Sequence, residues 1–199
     1  MSKNFAVLGK IASERPLSVP PGRGQAAPPT EYGELTRRVF HARAAVAVVG
    51  VDPAEPVSEI CIRIAADLAA SNRRVLVVSV EKILSMDPIS VPDHTGFTPA
   101  SPNLWTWQSP ASPKLEIFRS QPSAGADWLD TLRRSFDFIL LDCSFLRVES
   151  GATQVAAAAD QTVLVVHESQ TEKQQLRSVQ RRLQFAGARL TGSILVRQR

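Results

Sequence analysis

Apolar residues in this chain gather into short unbroken runs, separated by stretches in which they recur at helical spacing. The first complete unit spans residues 46–81. Val46–Val49, led in by Ala45, reads as a strand. Gly50–Pro56 reads as a turn. Ser58–Ala70 has Ile60, Cys61, Ile64, Ala65 and Leu68 on one face of a helix, and Val75–Val80 is a second strand. Continuous apolar strands joined by a helix mark a βαβ crossover in a parallel sheet covered on both faces. The pattern repeats downstream. A helix is predicted around Gly125–Arg134, a strand at Phe138–Leu141 with Asp142 at its carboxyl end, and an Ala-rich helix around Gly151–Ala158. A strand at Gln161–Val166 follows, then a helix over Thr171–Phe185 and a strand at Gly192–Val196. In the Thr171–Phe185 helix the apolar positions are Leu176, Val179, Leu183 and Phe185, the other face is basic, and Gly187 suits the position just past the helix end. Alternation of this kind predicts an α/β fold, a mostly parallel doubly wound sheet in three αβα layers.

Three stretches depart from the alternation. Residues 1–30 hold a short apolar patch, Phe5–Leu8, and then SERPLSVPPGRGQAAPPT, which reads as a flexible Pro-rich arm before a domain at 31–199. Thr30 reads as the N-cap of a helix over Glu31–Arg43, with Leu35, Val39 and Phe40 as its apolar stripe. Residues 82–113 carry six prolines and read as a long irregular loop, in which Leu104, Trp105 and Trp107 pin the loop to the domain or form a strand. Another strand is expected near Leu115–Arg119.

Composition narrows the class. The 199 residues include 23 Lys and Arg against 19 Asp and Glu, a net charge of +4, which fits a solvated basic surface better than a nucleic-acid partner. Cys61 and Cys143 fall at apolar positions and read as buried small hydrophobes of a reducing compartment. No run approaches the ~18–20 apolar residues that a membrane helix needs, and the N-terminus lacks the apolar core of a signal peptide, so a cytoplasmic protein is expected. His41, His94 and His167 have no metal-ligand spacing with each other or with the cysteines. His167 reads as a rim residue at the carboxyl end of its strand, and no nucleophile-elbow motif links it with Ser58 and Asp142.

The order of these segments resembles the deviant-Walker P-loop ATPases. Within them it is similar to the bacterial tyrosine kinases of capsule and exopolysaccharide synthesis, the cytoplasmic partners of membrane chain-length regulators. EYGELTRRVF looks like the family's leading helix and VAVVGVDPAEPVSE stands where its phosphate loop stands. NRRVLVVSVE resembles the strand of the second acidic motif, FDFILLDCS the Walker B strand, and the segment from Ala159 onward is similar throughout. The family loop reads roughly S-x-x-P-G-E-G-K-[ST]-T. Here Gly50, Asp52, Pro53, Glu55, Val57 and Ser58 occupy that loop. Pro53 and Glu55 match, but the lysine position is Val57 and the glycine before it is Pro56. Valine brings no charge to a β/γ-phosphate, and proline has no N–H to donate. Ser58 keeps the hydroxyl that would meet Mg²⁺, though a serine there also reads as an N-cap.

The other family positions are depleted as well. The D-x-D motif falls on Ser79 and Glu81. Asp142 matches the Walker B aspartate. The adenine-reading asparagine falls on Val196, and the C-terminal tyrosine cluster is missing, Tyr32 being the chain's only tyrosine. Arg73, Arg74 and Lys82 are the candidates to replace the lysine in space. On the leading helix the family's assembly motif E-x-x-R-x-x-R is met at Glu31 and Arg37, while Glu34 reverses a charge. The resemblance therefore implies a pseudokinase: an inactive relative, without cofactor, acting as an interaction or regulatory subunit of a polysaccharide machine. Its implied partner is a membrane chain-length regulator or a related kinase subunit that could recruit it to the inner membrane, with a homo-oligomer as a further expectation. The alternatives are a weakly active kinase or ATPase that takes ATP and Mg²⁺ through a remodelled loop, and a partition-type ATPase relative.

Overall fold

A computed structural model describes residues 7–12, 36, 39, 40, 42–52, 55–80, 97–107, 122–144, 152–168 and 170–197. They form one eight-stranded sheet in the order β1-β8-β7-β2-β6-β3-β5-β4. The strands are β1 (Val7–Ala12), β2 (Ala44–Gly50), β3 (Val75–Ser79), β4 (Phe97–Ser101), β5 (Leu104–Trp107), β6 (Phe138–Cys143), β7 (Gln161–His167) and β8 (Leu190–Arg197). Every pairing is parallel except that of β4 with β5. Four helices are described: α1 (Val57–Ala70), α2 (Pro122–Ser135), α3 (Ala152–Ala158) and α4 (Lys173–Phe185).

The central strands are continuous apolar runs because successive side chains leave the sheet on opposite sides, and both sides are covered. Val46 and Val48 of β2, Val75 and Val77 of β3, and Phe138 and Leu140 of β6 join Ile60, Ile64 and Leu68 of α1 in one core. Their neighbours Ala45, Ala47, Val49, Leu76, Val78, Ile139 and Leu141 face the other way. There they pack with Leu129 and Leu132 of α2, Val155 of α3, and Val179 and Leu183 of α4. The result is the expected three-layer α/β sandwich. Cys61 and Cys143 are both buried and free, and lie in the two different cores on opposite sides of the sheet. Burial, then the charge of Asp142, pushes both thiols up, so neither is a ready thiolate.

The structure corrects the sequence reading at several places. Val7–Ala12, assigned to the flexible arm, pairs in parallel with β8. The stretch 82–113, read as irregular, contains the β4–β5 hairpin, turned at Asn103 in the left-handed region (φ 64°). Asn103 Nδ2 donates to Asn72 Oδ1 at 3.1 Å, and Val75 N–H donates to the Asn103 carbonyl at 2.8 Å, tying the hairpin to the turn before β3. Leu104 and Trp107 are buried, and Phe97, Trp105, Trp107 and Phe136 meet edge to face, with ring centroids 5.3–5.8 Å apart. β4 is the outermost strand on this side. It carries Pro99, and its register shifts between Pro99 and Ser101.

The leading helix does not reach Arg43. Ala42 and Arg43 lie in a bend, and Arg43 pairs with Asp137 at 2.9 Å. Phe40 meets Phe138 edge-on at 5.6 Å. Glu31, Glu34 and Arg37, and the strand expected near Leu115–Arg119, lie outside the described residues. α4 ends as expected: Gly187 has φ 87°, its N–H donates to the Gln184 carbonyl and the Ala188 N–H to the Leu183 carbonyl, a Schellman motif. Phe185, however, does not belong to the apolar stripe. It stands about 200° around the helix from Leu183, and it is 97% exposed.

Candidate functional site

The loop between β2 and α1 lies at the carboxyl ends of the parallel strands, where open α/β sheets bind ligands. Pro53 and Ala54 of that loop lie outside the described residues. Gly50, Val51, Asp52, Glu55, Pro56, Val57 and Ser58 are described, and Glu55 dominates their arrangement. Its side chain turns inward and is only 6% exposed. One carboxylate oxygen accepts the Val51 N–H at 2.5 Å. The other accepts the His167 backbone N–H and the Thr171 hydroxyl, each at 3.2 Å. Burial raises the carboxyl's pKa above its ordinary value, and hydrogen bonds from the Asp52, Val51 and His167 backbone and from Thr171 oppose that rise without cancelling it.

The loop is clamped from several sides. Gln175 Nε2 donates to the Val51 carbonyl at 2.9 Å, so α4 and the segment before it hold the loop through Thr171 and Gln175. Val57, at the lysine position, is completely buried. Gly50 is needed for close approach. A Cβ there would stand 2.4 Å from the Ser144 carbonyl, 2.9 Å from Val57 Cγ2 and 3.1 Å from Glu55 Oε2. Gly50→Ala is therefore expected to cost about 2 kcal/mol, the scale of an overpacked core, read as a shifted midpoint in urea unfolding.

Behind the loop, Ser58 Oγ donates to Asp142 Oδ2 at 2.6 Å, and Ser144 Oγ donates to Asp142 Oδ1 at 2.5 Å. Asp142 is 4% exposed and sits in register between Val48 and Ser79. The expected N-cap role of Ser58 is thus not met. Pro56 is the N-cap, without a side-chain hydrogen bond, and its carbonyl accepts the Ile60 N–H at 3.0 Å. A proline fits this position because the first helical N–H groups have no intrahelical partner. His167, read as a rim residue, is buried, and it is its backbone that contributes to the site. Val196 is buried within β8.

Two proposed surrogates for the lysine are in the wrong place. Arg73 and Arg74 precede β3, at the amino ends of the strands, and Arg74 pairs there with Asp137 at 3.9 Å. Lys82 and Glu81 lie outside the described residues. Among the described residues no lysine or arginine pairs with Glu55 or Asp142. No cluster of His, Cys, Asp and Glu among them could hold a metal ion.

Chemically, converging backbone N–H donors make an anion site, and here the chain's own carboxylate takes the Val51 and His167 N–H groups. The residues do not fit a nucleoside triphosphate: Glu55 puts a carboxylate on the Val51 and His167 N–H groups, Pro56 offers no N–H, and Val57 brings no charge. Sequence reasoning missed Thr171, Gln175 and Ser144. Thr171 and Gln175 are four positions apart beyond β7, Thr171 before α4 and Gln175 in its first turn, and that spacing is the only hint of a shared role that the sequence carries.

The sequence matches no family model and no curated protein. Solved structures match over most of the chain. The kinase domain of Escherichia coli tyrosine kinase ETK is 14% identical, with 81% of this chain and 71% of that one covered and a TM-score of 0.65. The chimerical protein CapA2B2 is 16% identical, with 96% and 94% covered and a TM-score of 0.72. The cell division ATPase MinD of Pyrococcus furiosus is 18% identical, with 77% and 71% covered and a TM-score of 0.58. At these identities the likeness is one of fold: this chain has the α/β fold of the P-loop ATPases and resembles, among them, the bacterial tyrosine kinase domains.

Proposed function

We propose that this chain is a catalytically inactive, nucleotide-free relative of the bacterial polysaccharide tyrosine kinases. It acts as an interaction or regulatory subunit in exopolysaccharide or capsule synthesis or export. The observation that carries the reading is the Glu55 carboxylate seated on the Val51 N–H of the loop at 2.5 Å and on the His167 N–H at the end of β7 at 3.2 Å. Phosphoryl transfer depends almost wholly on positioning and on charge that meets the phosphates. A loop that presents a carboxylate, a proline and a valine instead opposes both. Ser58 and Asp142 survive, but they bond each other and supply neither a phosphate contact nor a phosphoryl acceptor.

Its partner in this reading is the cytoplasmic part of a membrane chain-length regulator or an active kinase subunit of the same machine. The likeness to the ETK kinase domain is the support for that choice. No helix among the described residues is long and apolar enough to cross a membrane, and in this reading the partner recruits the chain to the inner membrane. The test has two parts. The purified chain, incubated with Mg²⁺ and labelled ATP, is expected to show neither hydrolysis nor autophosphorylation above a protein-free control. Mixed with an active kinase domain and its regulator, it is expected to co-elute with one of them and to change the rate of phosphorylation. Label incorporated by the chain alone, or an unchanged rate without co-elution, would overturn the proposal.

A further inference from the structure

α4 presents a second surface, unrelated to the loop. Lys173, Arg177, Arg181 and Arg182 are exposed along it, and Arg189 is exposed just past its Gly187 stop. Among the described residues none of these five cations makes an ion pair. Phe185 lies in the same row as Arg177 and Arg181, one helical turn further on, and it is the one large hydrophobic residue standing fully exposed among those described (97%). Leu176, Val179 and Leu183 hold the opposite face against the sheet, Val179 and Leu183 buried and Leu176 half-buried. The helix is therefore fixed in rotation, and the ring cannot turn inward without unpacking it.

We propose that this face binds an anionic phospholipid surface, with Phe185 entering the headgroup boundary and the surrounding arginines meeting lipid phosphates. The match is one of charge and shape. The face is the outer side of a helix with one exposed ring, and its long cations can spread over a laterally fluid layer. A stable protein interface needs a contiguous apolar core, which a single exposed ring on a cationic helix does not provide. Nucleic acid would satisfy the cations, but base stacking uses rings set along a groove, and this ring stands alone on the outer face of a helix. The inference does not depend on whether the β2–α1 loop binds nucleotide.

The experiment is co-sedimentation of the full chain with vesicles of phosphatidylcholine, alone or with about 30 mol % phosphatidylglycerol, at low and high salt. Binding is expected only to the anionic vesicles and is expected to weaken with salt. Phe185→Ala should weaken it about fivefold, and Arg181→Glu with Arg182→Glu at least about tenfold. All three side chains are exposed, so both variants should keep the thermal midpoint of the parent. No binding to anionic vesicles at low salt would overturn the proposal, and so would equal binding by the parent and Phe185→Ala. Tighter capture of a single-stranded RNA oligomer that depends on Phe185 would also overturn it, assigning the face to nucleic acid.

Discussion

Titration of the chain with ATP or ADP, with or without Mg²⁺, is expected to give no binding heat up to millimolar nucleotide. Two losses set that limit. The lysine's charge-assisted bonds to phosphate, each about 1.5–3 kcal/mol, have no replacement at the buried Val57. The nucleotide must also expel Glu55 from the Val51 and His167 N–H groups before it can use them. Together these amount to about 4 kcal/mol, which carries a micromolar site to the millimolar range. Like charge adds to the deficit, because the displaced carboxylate would remain beside the phosphates. A dissociation constant below about 100 μM, about −5.5 kcal/mol, would mean that a cation from elsewhere completes the site, and the inactive reading would fail.

Replacing Glu55 by alanine is the second large effect. The carboxylate is bonded by backbone N–H groups and the Thr171 hydroxyl in a closed loop. Its loss is expected to destabilise the fold by about 3 kcal/mol, with donors left short of an acceptor. The effect should vary with pH in a defined direction. Burial raises the Glu55 carboxyl above its ordinary 4.5. Between the unfolded value and that raised value, the folded chain keeps a proton that the unfolded chain has released. Stability from this group is thus fully present below the window and declines as pH rises through it. The alanine variant lacks that slope, so the gap between the two proteins is expected to be widest at acidic pH and narrower at neutral pH. Denaturant titrations across pH 4–8 would measure it. The variant should also be stabilised by millimolar sulfate or phosphate, where the parent is not, because an external anion can then take the vacated donors. A pH-independent gap without anion rescue would show that Glu55 is not the occupant of an anion site.

Some of this was legible in the residues and some was not, for physical reasons. β2, β3, β6 and β7 are covered on both sides, so their sequences are unbroken apolar runs that only a buried parallel sheet accommodates. β5 was half-visible through Leu104 and Trp107. β4 was hidden because Pro99 and a polar, exposed face carry no periodicity. β1 was hidden by its proline-rich surroundings, since nothing local shows that a short apolar patch will find an edge as distant as β8. Phe185 misled because apolar residues at 183 and 185 look like neighbours in a list, yet project to different faces of a helix.

At the site, the losses at Val57 and Pro56 were visible as residue types. The inward turn of Glu55 was not, because Glu55 matches the expected loop, and two of its partners, His167 and Thr171, lie more than a hundred positions downstream. The hydroxyl of Ser58 suited a helix cap better than a metal, yet Pro56 takes the cap position. Only the placement of Asp142 beside it in space shows that the two bond each other.

The proline on β4 bears on how this protein can associate. An outermost strand ordinarily offers a free row of N–H and C=O groups on which another strand can assemble. Pro99 interrupts the donors in that row, and the register shift next to it bends the strand away from a straight template. Sheet extension from the β4 side is thereby discouraged, in an ordered assembly and in an aggregate alike. Among the described residues that leaves β1, at the opposite margin, as the edge where a strand from another molecule could be added.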